Sequence, residues 1–118
     1  VSSYVRKLLP RWGMAEQVSA MMPWDMPLAE AWQRRGEMRE LTLRLCREAM
    51  ARVDVNVVLP FCAVFVPFMV DPHAIEDEIG IPVINGVAVG LRTAEMFVDL
   101  NMVHSKKAYP PAPSALWE

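Results

Sequence analysis

Cys62 is the residue in this chain best suited to do chemistry. It closes the run Val53-Asp54-Val55-Asn56-Val57-Val58-Leu59-Pro60-Phe61-Cys62, which is β-branched and nearly continuous in its apolar character. Such a run reads as a strand covered on both faces, and in open α/β sheets ligands bind outside the carboxyl ends of the strands. A thiol at the start of a turn there lies beside backbone donors that can lower its pKa, and the thiolate can abstract a proton or attack as a nucleophile. The same position also suits a small packed hydrophobe. Cys46 falls mid-helix at the edge of an apolar stripe and reads as a core residue, so no Cys46–Cys62 bridge is expected.

Other chemistry-bearing residues carry weaker signals. Asn85-Gly86 follows a short apolar run and opens a helix, so its amides could hold a carboxylate or imide oxygen; a plain connecting turn is the competing reading. His73 and His104 are far apart and poor in neighbouring ligands, so no metal site is expected. Arg34-Arg35 could clamp an anion, although a solvated helix face explains the pair more simply. The sequence holds no Gly-rich phosphate loop, no Ser-centred elbow and no paired carboxylates at useful spacing. The four Trp and nine Met residues read as core and interface filler rather than as a cofactor site.

The elements that must position Cys62 follow from periodicity. Val1, Tyr4, Val5, Leu8 and Leu9 share one helical face, and Pro10 and Gly13 end that helix, Gly13 as a left-handed cap residue. Gln17 to Met22 alternates and stops at Pro23, which predicts a short strand. Asp25 can cap a helix with Pro27 in its first turn, running to about Arg52 and interrupted near Gly36. Within it, Met38, Leu41, Leu45 and Ala49 keep helical spacing, and Glu40–Arg44 and Glu48–Arg52 are i,i+4 ion pairs.

After the central strand, Ala63 to Val70 reads as a helical turn interrupted by Pro67. Asp71-Pro72 caps a helix that ends at Gly80, and Ile81 to Ile84 is a third strand with Pro82 near its start. A last helix spans Val87 to Met102, with Leu91, Ala94, Val98 and Met102 facing inward. The expected fold class is therefore α/β, a short parallel sheet flanked by helices. Residues 109–118 form a Pro-rich tail that cannot continue a helix.

Composition bounds the partners. With Lys+Arg 12 against Asp+Glu 14, the net charge of -2 over 118 residues offers no basic face to nucleic acid or to an anionic membrane. Val55 to Val70 is apolar except for Asn56, but it is shorter than the ~20 residues of a spanning helix and holds Pro60 and Pro67. Two cysteines without a framework of spacings point to a reducing, cytoplasmic setting. A three-stranded parallel sheet needs both faces covered. That cover is expected from a second copy of the chain or from an amino-terminal half, the opening Val1 reading as a processed end or a fragment.

Residues 55 to 110 resemble the carboxyl-terminal half of the aspartate/glutamate/hydantoin racemase family. The resemblance rests on the strand ending in Cys62-Ala63, on Glu78-Ile79-Gly80, and on Ile81-Pro82-Val83-Ile84-Asn85-Gly86-Val87-Ala88 leading into Leu91-Arg92-Thr93-Ala94-Glu95-Met96. It closes on His104-Ser105-Lys106-Lys107-Ala108-Tyr109, which is similar to the Ser-Lys and aromatic signature of the hydantoin-racemase branch. Val1 to Arg52 is similar only in element order.

The resemblance implies a cofactor-independent isomerase of two similar α/β halves, with a small-molecule substrate held between them and one cysteine from each. Residues 1–108 would be the carboxyl-terminal lobe, an incomplete enzyme expected to be inactive as a racemase on its own. Inversion at a stereocentre needs two acid/base groups flanking the carbon; Cys62 would be one of them. Ala63, Asn85, Gly86 and Val87 would seat the substrate, a hydantoin or an amino acid. Ala63 stands where many amino-acid racemases of the family carry a polar residue, which favours the hydantoin branch. Asn85 stands where many members have an acid, which leaves the substrate open. Arylmalonate decarboxylases, similar to this family, use a single cysteine, and a non-catalytic pairing module is the third expectation.

Overall fold

The computed structural model describes residues 2–110, so most of the expected Pro-rich tail lies outside the described residues. The chain divides into two compact units, residues 1–87 and 88–118. In the first unit, helix α1 (Ser2–Leu8) buries Val5. A 3-10 turn, Pro10–Trp12, then ends at Gly13, whose φ of 68° is the left-handed cap expected from the sequence. Gln17 to Met22 is not a strand. Its first amide closes a turn instead, Gln17 N–H donating to Met14 O at 3.1 Å.

Helix α2 (Leu28–Gln33) and helix α3 (Met38–Met50) are separated by a 3-10 turn, Arg35–Glu37. Gly36 at its centre marks the interruption, since glycine is a poor helix former. Asp25 does not cap α2; the N-cap position falls to Pro27, and no side chain accepts from the first turn. Along α3 the buried residues are Met38, Thr42, Leu43, Cys46 and Ala49. Thr42 is accommodated because its Oγ1 donates to Met38 O at 2.7 Å.

Helix α4 (Pro72–Ile79) follows its sequence signals closely. Asp71 accepts from His73 N–H at 3.0 Å, Pro72 occupies the first turn, and Gly80 closes the helix at φ 73°. Glu78 of α4 accepts from both Arg39 and Arg47 of α3, at 2.8 and 3.2 Å. These exposed pairs fix register more than they stabilise. The stabilisation comes from one core, in which Ala31, Met38, Leu43, Cys46, Val66, Val70, Ile75 and Val83 pack together.

The parallel sheet expected around Val53–Cys62 is absent: among the described residues there is no strand, only an isolated parallel bridge between Val58 and Val83. Val58 N–H donates to Pro82 O and Ile84 N–H donates to Val58 O, both at 2.9 Å. Two prolines explain why the ladder stops there. In a parallel pair the next bonds would run from the amide of residue 82 to Asn56 O and from the amide of residue 60 to Ile84 O. Both residues are proline, and neither has an N–H to give.

The second unit is built on helix α5 (Gly86–Asp99), whose first two residues belong to the first unit. Beyond Asp99 the chain turns through Asn101 at φ 53°. Met102 N–H donates to Phe97 O at 2.8 Å and Asn101 N–H to Val98 O at 3.0 Å, the paired bonds of a Schellman closure. The stripe Leu91, Ala94, Val98 does not face a core, since no residue of α5 is buried. Among the described residues, no helix is long and apolar enough to cross a membrane.

Candidate functional site

Cys62 stands at the head of a turn, and its side chain is exposed while that of Cys46 is buried. The turn is held through the Cys62 carbonyl, which accepts from Phe65 N–H at 3.1 Å and Val66 N–H at 3.3 Å. Phe65 O then accepts from Met69 and Val70, and Val66 and Val70 carry the turn into the core. Phe65 also meets Trp24 edge-on, ring centroids 4.3 Å apart. The amides of Phe65, Val66, Met69 and Val70 are thus spent on carbonyls of the turn, whose head presents the exposed thiol. Ala63, next in the turn, is exposed.

The parallel bridge relates this turn to the second candidate region. Past Val58 the chain runs to Cys62, and past Val83 it runs to Asn85, Gly86 and Val87, so both sets lie downstream in sequence of one parallel bridge. Asn85 is half-buried and immediately precedes α5, whose first residues are Gly86 and Val87, both exposed. The segment is fixed from below by Glu76 of α4, which accepts from Val83 N–H at 3.0 Å. Sequence reading missed this anchor: Glu76 looked like one more polar position on a short helix, and nothing local marks the amide seven residues on.

Cys46 cannot act with Cys62 in the described arrangement. It belongs to the core cluster, and burial pushes its thiol above the ordinary value, disfavouring the thiolate. Arg34 is likewise committed, donating to Glu30 at 2.8 Å and to Glu37 at 2.7 Å. The hydrogen bonds from Arg34 hold the Glu37 carboxyl below its usual range. The double arginine is therefore a solvated helix face, with Arg35 reaching only Trp32 O at 3.4 Å.

In the second unit, His104 meets Tyr109 edge-on at 5.9 Å, and Lys106 Nζ lies 3.4 Å from His104 Nε2. Ala108 N–H donates to Ser105 Oγ at 3.2 Å, closing the loop that the family resemblance had singled out. Among the described residues no three His, Cys, Asp or Glu side chains are grouped to hold a metal ion. Two shallow concavities, of about 250 and 400 Å³, are lined by residues between 6 and 21 and by residues 50–55. Cys62 and Asn85 line neither. In comparisons with known proteins, no family model, no curated protein and no solved structure matches this chain.

Proposed function

We propose that this chain supplies a cysteine acid/base for cofactor-independent isomerisation at the α-carbon of a hydantoin or amino acid, with Cys62 as that group. The observation that carries the reading is the exposed thiol at the head of a hydrogen-bonded turn, downstream of the same parallel bridge as Asn85, Gly86 and Val87. The Cys62 thiolate takes the α-proton, and the electron pair passes into the adjacent carbonyl. Return of a proton to the opposite face completes inversion, which needs a second group. With Cys46 in the core, that group comes from another polypeptide surface. Ala63 and the start of α5 would seat the carbonyl side of the substrate.

The test separates the half-reaction from the whole. Cys62 alone can exchange one face, so the purified chain in deuterium oxide should label the α-carbon of a hydantoin above the protein-free rate, without inversion. Cys62→Ala should return labelling to that rate; undiminished exchange removes Cys62 from the mechanism. Carbon dioxide release from an arylmalonate, with no labelling of hydantoins, would favour the decarboxylase chemistry.

A second, non-catalytic reading is that the chain is a pairing module. It draws on the large apolar side chains left exposed among the described residues, including Phe68 at 70% and Val98 at 74%.

A further inference from the structure

We propose that Glu76 is the positioning residue for Asn85, Gly86 and Val87: by holding one backbone amide, it fixes where that segment leaves the Val58–Val83 bridge. The role rests on the reading of these three residues as a substrate seat. Glu76 itself touches no substrate and acts through Val83. The alternation of the bridge shows why that amide matters. Val58 N–H donates to Pro82 O and Val58 O accepts from Ile84 N–H, so the polar groups of residues 82 and 84 face Val58. In an extended segment successive amides point to opposite sides, which turns the Val83 N–H away from Val58. Among the described residues no strand receives it. Glu76 Oε2 stands in for one, accepting from Val83 N–H at 3.0 Å in a partly buried setting. Three consecutive residues are thus tied, 82 and 84 to Val58 and 83 to α4, and Asn85 comes next in the chain.

The carboxylate can serve because its own helix is anchored. Ile75, its neighbour on α4, is 0% exposed in the core, and Gly80 N–H closes the helix on Glu76 O at 2.8 Å. The left-handed turn at Gly80 then sends the chain back, so that Val83 passes beside Glu76 seven residues on. Val83 is itself 7% exposed, and without its acceptor it would hold an unsatisfied amide within the packing. The segment relieves this by moving toward water, and Asn85, Gly86 and Val87 move with it. What the position needs is an acceptor of the right reach rather than a charge. Glu76→Gln keeps a side-chain oxygen at that reach, Glu76→Leu keeps the size without the acceptor, and Glu76→Asp keeps the carboxylate one methylene too short.

Backbone amide hydrogen exchange of the whole chain tests the anchor without any substrate. The Val83 amide should exchange about tenfold faster or more in Glu76→Leu, and close to the wild-type rate in Glu76→Gln. In α-carbon labelling of a hydantoin, Glu76→Leu and Glu76→Asp should raise KM several-fold and leave kcat within about twofold, with KM restored in Glu76→Gln. Mere loss of fold would do the opposite, lowering the folded fraction and with it the apparent kcat at constant KM. Unchanged Val83 exchange in Glu76→Leu would overturn the proposal. So would an unmoved KM in a chain whose wild type labels hydantoins, or a Glu76→Gln that behaves like Glu76→Leu. A wild-type chain that labels no hydantoin would instead remove the acid/base reading of Cys62, and exchange at Val83 would then decide alone whether Glu76 holds the segment.

Discussion

The two thiols of this chain differ in everything except their chemistry. Cys62 ends an extended run and sits on an exposed turn, whereas Cys46 is 8% exposed in the core. A thiol-directed alkylating reagent should therefore modify Cys62 in the native protein and reach Cys46 only on unfolding; simultaneous labelling would contradict the packing. Burial also links Cys46 to stability. Its folded pKa is raised, so the native state holds the proton longer than the unfolded chain does. The contribution of Cys46 to stability should be constant below the ordinary thiol value, ~8.5, and fall as pH climbs past it. Denaturant midpoints measured from neutral to alkaline pH, against Cys46→Ala, check the sign. That Cys46 is a core thiol was legible in the sequence, because helix periodicity marks it; the exposure of Cys62 was not, since the end of an apolar run suits a packed thiol equally well.

At the scale of elements, what the sequence reveals is what its local chemistry decides. Gly13, Asp71-Pro72 and Gly80 end or start helices through their own backbone and side chains, and they do so at the expected positions. The sheet depended instead on a pairing register that no local signal gives. Once Val58 faces Val83, Pro60 and Pro82 occupy the two positions whose amides would extend the ladder. Pro82→Ala restores one donor, toward Asn56 O. The expected result is slowed hydrogen exchange at the new amide of residue 82; exchange as fast as in an unstructured loop would show that something besides the missing N–H limits the pairing. The end of α5 came earlier than its apolar pattern implied. Asn101 in the left-handed region turns the chain before Met102, and few sequence signals other than glycine announce that conformation.

At the scale of the whole molecule, the first unit has a single core, and the described residues of the second leave their apolar side chains outside. Ile75, Met38 and Leu43 are the largest fully buried side chains. Because the core of the first unit is small, Ile75→Ala should cost about 2–5 kcal/mol, read as a lower urea midpoint with little change in slope. An effect below half a kcal/mol would mean that α4 is not packed as described. The sequence supplied enough apolar residues for a larger interior, but it could not say which would be buried: that is decided by the surfaces a chain meets, and the stripe of α5 meets none within its own unit. The prolines on either side of the Val58–Val83 bridge have a last consequence. Val57, Leu59 and Phe61 stand exposed along an extended segment, the composition from which fibrils are seeded. By withholding hydrogens at residues 60 and 82, the chain holds this pairing to a single rung, so the segment does not become one strand of a regular sheet that another chain could extend.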